Sequence, residues 1–205
     1  MIKIEKEKIY ESNGYKFKNF ITLPIEDKLM ILEWRNSEQI RKVMVNKEII
    51  PESSHLKFIE DLKSRNDCYY WLVENRKGVN VGVLDILHVD EEQDVGEIGY
   101  YMDPTLFGMG LEFVIECEFF VYNIIRLGNN IATVDISNTA ALLLNTYLGD
   151  TYEGVKTIGD ATFFYNNHSN GNYIIQHYSE FNNKSYLRYM KEHKNISNEI
   201  MNSIN

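Results

Sequence analysis

Pro104-Thr105-Leu106-Phe107-Gly108-Met109-Gly110 joins two segments of opposite periodicity, and the fold is read outward from it. Upstream, Val95–Met102 is rich in β-branched and aromatic residues and stops at Asp103-Pro104, which predicts a strand. Downstream, residues 111–125 have room for four helical turns, with Phe113, Cys117, Phe120 and Ile124 on one stripe. Glycines at 108 and 110 let the backbone approach an anion, and the unpaired N–H groups of a first helical turn point at it. The helix dipole adds about 0.3–1 kcal/mol per favourable charge. A plain strand-to-helix turn is the alternative, so the reading depends on a second motif downstream.

That motif is Asn138-Thr139-Ala140-Ala141-Leu142-Leu143-Leu144-Asn145-Thr146-Tyr147-Leu148-Gly149, after a strand over 131–136. It predicts a helix closed by Gly149. A glycine-rich turn before one helix, then strand, Asn and a helix ending in Leu-Gly, resembles the GNAT acetyltransferase superfamily. In that family the turn holds the pyrophosphate of acetyl-CoA under a Q/R-x-x-G-x-G/A motif. Gly108 and Gly110 match it, while Thr105 stands where Gln or Arg is usual and leaves the pyrophosphate to backbone N–H groups. The resemblance thus implies acetyl-CoA binding by Leu106, Phe107, Gly108, Met109, Gly110 and Asn138, the last near the thioester.

Leu32-Glu33-Trp34-Arg35-Asn36, the run from His55 to Lys63, and Val81-Gly82-Val83 are similar to the PseH-type nucleotide-sugar N-acetyltransferases of pseudaminic acid biosynthesis. The resemblance runs from about 19 to 178. It implies one α/β domain of the GNAT fold over 1–205, a mixed, mostly antiparallel sheet flanked by helices, with a core at 15–180 and a helical tail at 183–204. It also implies a cytoplasmic enzyme that moves acetyl to the amine of a UDP-linked 4-amino-4,6-dideoxy sugar, toward pseudaminic acid and flagellin glycosylation. Trp34-Arg35-Asn36 recurs in ribosomal-protein and polyamine acetyltransferases, which gives a second reading. A non-catalytic acyl-CoA or nucleotide-sugar binding protein is the third, motivated by Thr105 and Asn145.

Composition sets the outer bounds. With 205 residues, 44% of them hydrophobic, one domain with a sizeable core is expected. A formal net charge of −9 argues against nucleic acid as a partner and is compatible with a small anion held locally. Cys68 and Cys117 read as core packing in a reducing compartment. Five scattered His and two distant Cys lack metal-ligand spacing, so no metal is expected. No apolar run approaches the ~20 residues of a membrane span. Residues 1–11 lack a signal-peptide core and read as an edge strand or loose arm. A homodimer is left open.

The remaining elements are expected in this order: a strand over 15–21, a helix over 26–35 continuing shortly to 45, and a helix over 54–64 capped by Ser53 or Ser54. Strands over 69–74 and 80–88 come next, joined at Arg76-Lys77-Gly78. Late strands over 151–165 and 173–178 flank an Asn-rich loop ending in Asn170-Gly171, a hairpin signal. Residues 183–204 read as one amphipathic helix.

Acetyl transfer to an amine needs a base for the ammonium and an acid for the departing thiolate. Glu97 shares a strand face with Gly99 and Tyr101 by period two, and it is a candidate base beside Asp85. The alternative for each is a solvated strand carboxylate. Where GNAT enzymes often carry Tyr, seven residues after Asn138, this chain has Asn145, and an amide is no acid. Tyr147 lies about 200° further round the helix and would serve only if the helix were shifted; another phenol or water is the alternative. Arg35 and His55 are candidate nucleotide-sugar contacts, with a surface ion pair and simple capping as their plainer roles. Tyr100, Tyr101 and His88 are candidates to line the sugar pocket, with core packing the alternative for one of the two tyrosines.

Overall fold

The computed structural model of the chain describes residues 4–106, 110–166 and 171–204, without the side chain of Asn172. A hairpin of β1 (Tyr10–Ser12) and β2 (Tyr15–Asn19) leads to α1 (Ile25–Asn36), α2 (Glu38–Arg41) and α3 (Glu52–Asp61). An antiparallel meander comes next: β3 (Tyr69–Glu74), β4 (Asn80–Asp90) and β5 (Val95–Met102). After it stand α4 (Gly110–Phe119), extended by a π turn over Phe120–Ile125, then β6 (Asn129–Asp135) and α5 (Thr139–Tyr147). The chain finishes with β7 (Gly154–Ile158), β8 (Ala161–Asn166), α6 (Gly171–His177), α7 (Asn183–Glu192) and α8 (Ile196–Ile204). The strands order as β1-β2-β3-β4-β5-β6-β8-β7, antiparallel except at β5–β6. This is the mixed, mostly antiparallel sheet flanked by helices that the resemblance implies.

Strand periodicity divides the core. Trp71, Leu84, Ile86 and Ile98 face α4 and pack with Phe113, Cys117 and Phe120. Leu72 and Val83 face the other way and pack with Ile31, Trp34 and Ile59 of α1 and α3. Alternate residues of one strand therefore serve two helical layers. Both cysteines are buried and free.

Between the layers the sheet opens. β5 and β6 pair only from Val95–Asn129 to Glu97–Ile131. The buried amide of Asn130 then takes the Ile98 N–H at 2.8 Å, and from Ala132 onward β6 pairs with β8 instead. The two parallel strands part at their carboxyl ends, a place where α/β sheets admit ligands.

Several expectations need correction. Helix α3 starts earlier than expected, behind Pro51 and with no side-chain cap, so Ser53 and Ser54 lie inside it. Pro51 enters the helix with its φ fixed, and its carbonyl accepts the first helical bond from the His55 N–H at 3.0 Å. On the α4 stripe Ile124 is exposed and Ile125 buried, because the π turn inserts a residue and rotates the face. The late hairpin turns at Gly159, whose φ is +59°, and residues 173–178 are largely helical rather than extended. Tyr173, Ile174 and Ile175 carry strand propensity, but docking on α4 and the π turn overrides it. The tail is two helices, broken at residues 193–195, and Ile196 and Ile200 bury against Val134, Leu142 and Phe164. Among the described residues, no helix is long and apolar enough to cross a membrane.

Candidate active site

On the α1–α3 face, Asp85 stands opposite Gly99 in the β4–β5 register. A Cβ at position 99 would lie 2.6 Å from Asp85 Oδ1, so the glycine makes the room that the carboxylate occupies. Burial, and then repulsion from Glu97, push the Asp85 carboxyl up to about 7, with Arg35 opposing. Tyr70, the register partner of Asp85 on β3, and Tyr101 of β5 share this face. Burial and the Asp85 charge hold both phenols above their ordinary range, so they stay protonated. His88, exposed and in a left-handed conformation at the β4 irregularity, holds Nε2 3.7 Å from Glu97 Oε2.

Arg35 reaches the same region from the end of α1. Its Nη2 donates to the Asn46 carbonyl at 2.9 Å, while Nη1 is buried without a hydrogen-bond partner among the described residues. A buried guanidinium N–H without a partner costs free energy unless a ligand supplies the acceptor. The neighbouring Asn36 exchanges two 2.9 Å bonds with the backbone of Ile50, and Arg41 Nη1 donates to the Lys47 carbonyl at 2.8 Å. The Trp34-Arg35-Asn36 element thus fixes the loop over residues 42–50. Its sequence signal was visible, but the loop-holding role of Asn36 and Arg41 was not. His55 is buried, and its Nε2–H donates to the Lys28 carbonyl at 2.9 Å. That bond ties α3 to α1 and occupies Nε2.

The α4 face carries a second polar group. Tyr100 donates its phenol to Asn145 Oδ1 at 2.6 Å, and Asn145 is 7% exposed. Period two sends Tyr100 to the face opposite Tyr101, so of the two tyrosines only Tyr101 shares the Asp85 face. Glu118 of α4 is buried nearby, and its carboxyl and that of Asp150 are both pushed up by burial, Asp150 to about 7. Tyr147 does not reach this group. Helix α5 shows no shift, and the Tyr147 phenol bonds Ser185 while its ring packs among Phe181, Tyr186 and Tyr189. The 200° offset from Asn145 holds, and Tyr147 belongs to the contact with the tail. Asn145, Glu118 and Asp150 are the residues sequence reasoning missed as a group.

At the glycine turn, Asp103 Oδ1 accepts from both the backbone N–H and the hydroxyl of Thr105, each at 2.8 Å. Leu106 closes that 3-10 turn by donating to the Asp103 carbonyl at 2.9 Å. Phe107, Gly108 and Met109 lie outside the described residues, and Gly110 begins α4. Asn138 caps α5, its Oδ1 accepting from the Ala141 N–H at 3.3 Å. No group of three His, Cys, Asp or Glu able to hold a metal occurs among the described residues.

No family model matches the sequence. Over 129 residues the chain is 31% identical to Acetyltransferase PseH of Campylobacter jejuni subsp. jejuni serotype O:2, which covers 63% of this chain and 80% of that protein. Its counterpart from serotype O:23/36 is 30% identical over the same shares. Among solved structures, the Campylobacter jejuni N-acetyltransferase PseH in complex with acetyl coenzyme A aligns with a TM-score of 0.58 and 24% identity, covering 76% of this chain and 99% of that one. A Vibrio cholerae spermidine N-acetyltransferase in complex with CoA and spermine aligns with a TM-score of 0.60 at 16% identity, covering 78% and 99%. A GNAT-family acetyltransferase from Bacillus anthracis gives 0.62 at 17% identity, covering 77% and 96%.

Proposed function

The chain belongs to the PseH acetyltransferase family, and from that premise we propose that it moves acetyl from acetyl-CoA to the amine of a UDP-linked 4-amino-4,6-dideoxy sugar on the route to pseudaminic acid. The proposed compartment is the cytoplasm, whose reducing conditions suit the free thiols of Cys68 and Cys117. The donor enters where β5 and β6 part, with its pyrophosphate at the start of α4 and Asn138 near the thioester. The acceptor lies on the opposite face, under the loop over residues 42–50.

The observation that carries this reading is Asp85, lodged over Gly99 at the mouth of that gap with its carboxyl raised to about 7. An acceptor amine arrives as an ammonium ion and must lose a proton before it attacks. A carboxylate balanced near neutral pH is matched to that task. Glu97 keeps the neighbourhood negative and so favours the cationic acceptor, while Tyr70 and Tyr101 form the wall. Arg35 Nη1 supplies the N–H suited to an acceptor oxygen of the nucleotide sugar. Holding amine and thioester together in one complex removes much of the entropic barrier.

A thiol-release assay over UDP-amino sugars, polyamines and amino-terminal peptides tests the proposal. Turnover with a UDP-4-amino sugar and little with the others is expected. Preference for spermidine would move the acceptor to a polyamine, the second reading, which the paired carboxylates Asp85 and Glu97 favour.

A further inference from the structure

Asn145 occupies the helical position from which the resembled superfamily offers a phenol, yet its amide is hydrogen-bonded to a phenol from another element. We propose that Tyr100, presented by β5 and held by Asn145, is the proton donor to the thiolate leaving group. This role rests on the proposed acetyl transfer. Placement supports it. Tyr100 lies three residues past the last β5–β6 pair, about 10 Å into the region where the strands part. Its ring meets Phe113 of α4 edge-on at 6.5 Å, and its hydroxyl is fixed by a 2.6 Å bond across to α5. The phenol therefore borders the gap from the face opposite Asp85. Tyr147, the phenol on α5 itself, is turned under the tail.

In the transfer step the amine nitrogen forms its bond to the acetyl carbon, the C–S bond breaks, and its electron pair stays on sulfur. Rotation about the C–O bond of Tyr100 turns the proton from Asn145 to sulfur, giving the free thiol. Of the two protons the ammonium sheds, one leaves through Asp85 to solvent and the other restores the phenol. Burial, then Glu118 and Asp150, hold the Tyr100 phenol well above its ordinary range. The same desolvation raises the thiol, because both acids leave anions in one apolar setting, so the difference between them is smaller than the phenol's shift alone suggests.

The test reads the bound thiol directly. CoA is bound to the wild-type chain and to Tyr100→Phe, and the thiolate absorbance is titrated in each. Loss of a charge-assisted donor should raise the thiol pKa by about 1–2 units. With acetyl-CoA and acceptor, kcat should fall roughly 10²–10⁴-fold while the KM for acetyl-CoA changes little. The double variant Tyr100→Phe, Asn145→Tyr returns a phenol from α5 and should regain at least tenfold in kcat. Asn145→Leu keeps the phenol and removes the acceptor that competes with sulfur for its proton, so it should shift the thiol pKa in the opposite direction, and it covers the case in which Tyr100→Phe fails to fold. An unchanged thiol titration overturns the proposal, even if kcat falls, since that would mark a packing role. A shift in Tyr152→Phe but not in Tyr100→Phe overturns it too, because the Tyr152 phenol also lies beside Asn145. Failure of CoA to bind the wild-type chain would defeat the functional reading, and this inference with it.

Discussion

Tyr100 and Tyr101 are adjacent in the chain and work in different environments. Tyr101 faces α1 and α3 beside Asp85, with Arg35 close and a carboxyl poised near neutrality. Tyr100 faces α4 and α5, bonded to Asn145 and flanked by buried Glu118 and half-buried Asp150. One strand thus separates Asp85, the proposed base, from Tyr100, the proposed acid. Burial raises the proton affinity of both Asp85 and Tyr100, so the sheet divides the two proposed roles by position and not by opposed shifts.

The sharpest way to break this comparison is to remove the base. Asp85→Asn should lower kcat by roughly 10²–10⁴ at neutral pH and leave acetyl-CoA affinity unchanged by calorimetry. The proposed base must be ionised to take a proton, so the wild-type kcat/KM should rise with pH through about 7, and that limb should vanish in the variant. A retained limb would transfer the role to Glu97.

Arg35→Ala probes recognition on the acceptor face. Losing a charge-assisted bond should cost about 1.5–3 kcal/mol, read as a KM for the UDP-sugar raised some 10–150-fold with that for acetyl-CoA nearly constant. An equal rise in both would mean that Arg35 serves only to hold Asn46.

The acids on the Tyr100 face give a smaller effect, on stability. Asp150 has an ordinary value of 3.8 and a folded value of about 7. The folded chain then binds its proton more tightly than the unfolded one, so stability is full below about 4 and declines as pH rises toward and past 7. Asp85 contributes with the same sign. Thermal unfolding of the wild type should show Tm falling between pH 5 and pH 8, and Asp150→Asn should flatten that slope. A slope equal to the wild type's would remove Asp150 from the account.

The smallest effect is expected outside both regions. Tyr147→Phe loses the Ser185 bond but keeps the ring among Phe181, Tyr186 and Tyr189. A stability loss of about 1 kcal/mol is expected in denaturant unfolding, with kcat reduced less than tenfold. A loss of a hundredfold or more would return Tyr147 to the chemistry and collapse the contrast drawn between the two faces.

Local readings succeeded where one element carries its own signal. Val95–Met102 and Tyr69–Glu74 have the predicted bounds, because each is a run of β-branched and aromatic residues ended by a turn or a proline. The offset between Asn145 and Tyr147 was also legible, since it follows from the pitch of a regular helix. Readings failed where packing outweighed propensity. Gly171–His177 is helical despite its Tyr-Ile-Ile core, and the tail breaks so that Ile196 and Ile200 can reach Phe164. His55 reads in the sequence as a nucleotide contact and is a buried strut, because docking of α3 on α1 decides what its ring meets.

The sequence by itself determined the alternation that sends Tyr100 and Tyr101 to opposite faces, the glycines at 108 and 110, and the absence of a phenol at position 145. Those are properties of strand period, backbone freedom and residue identity, and they need no tertiary partner. Only the tertiary structure decided that Asp85 sits over Gly99, that Arg35 keeps one buried N–H without a partner among the described residues, and that Asn145 meets Tyr100. Each depends on register between strands or on the docking of a helix, where groups distant in the chain share one desolvated space and shift each other's proton affinity.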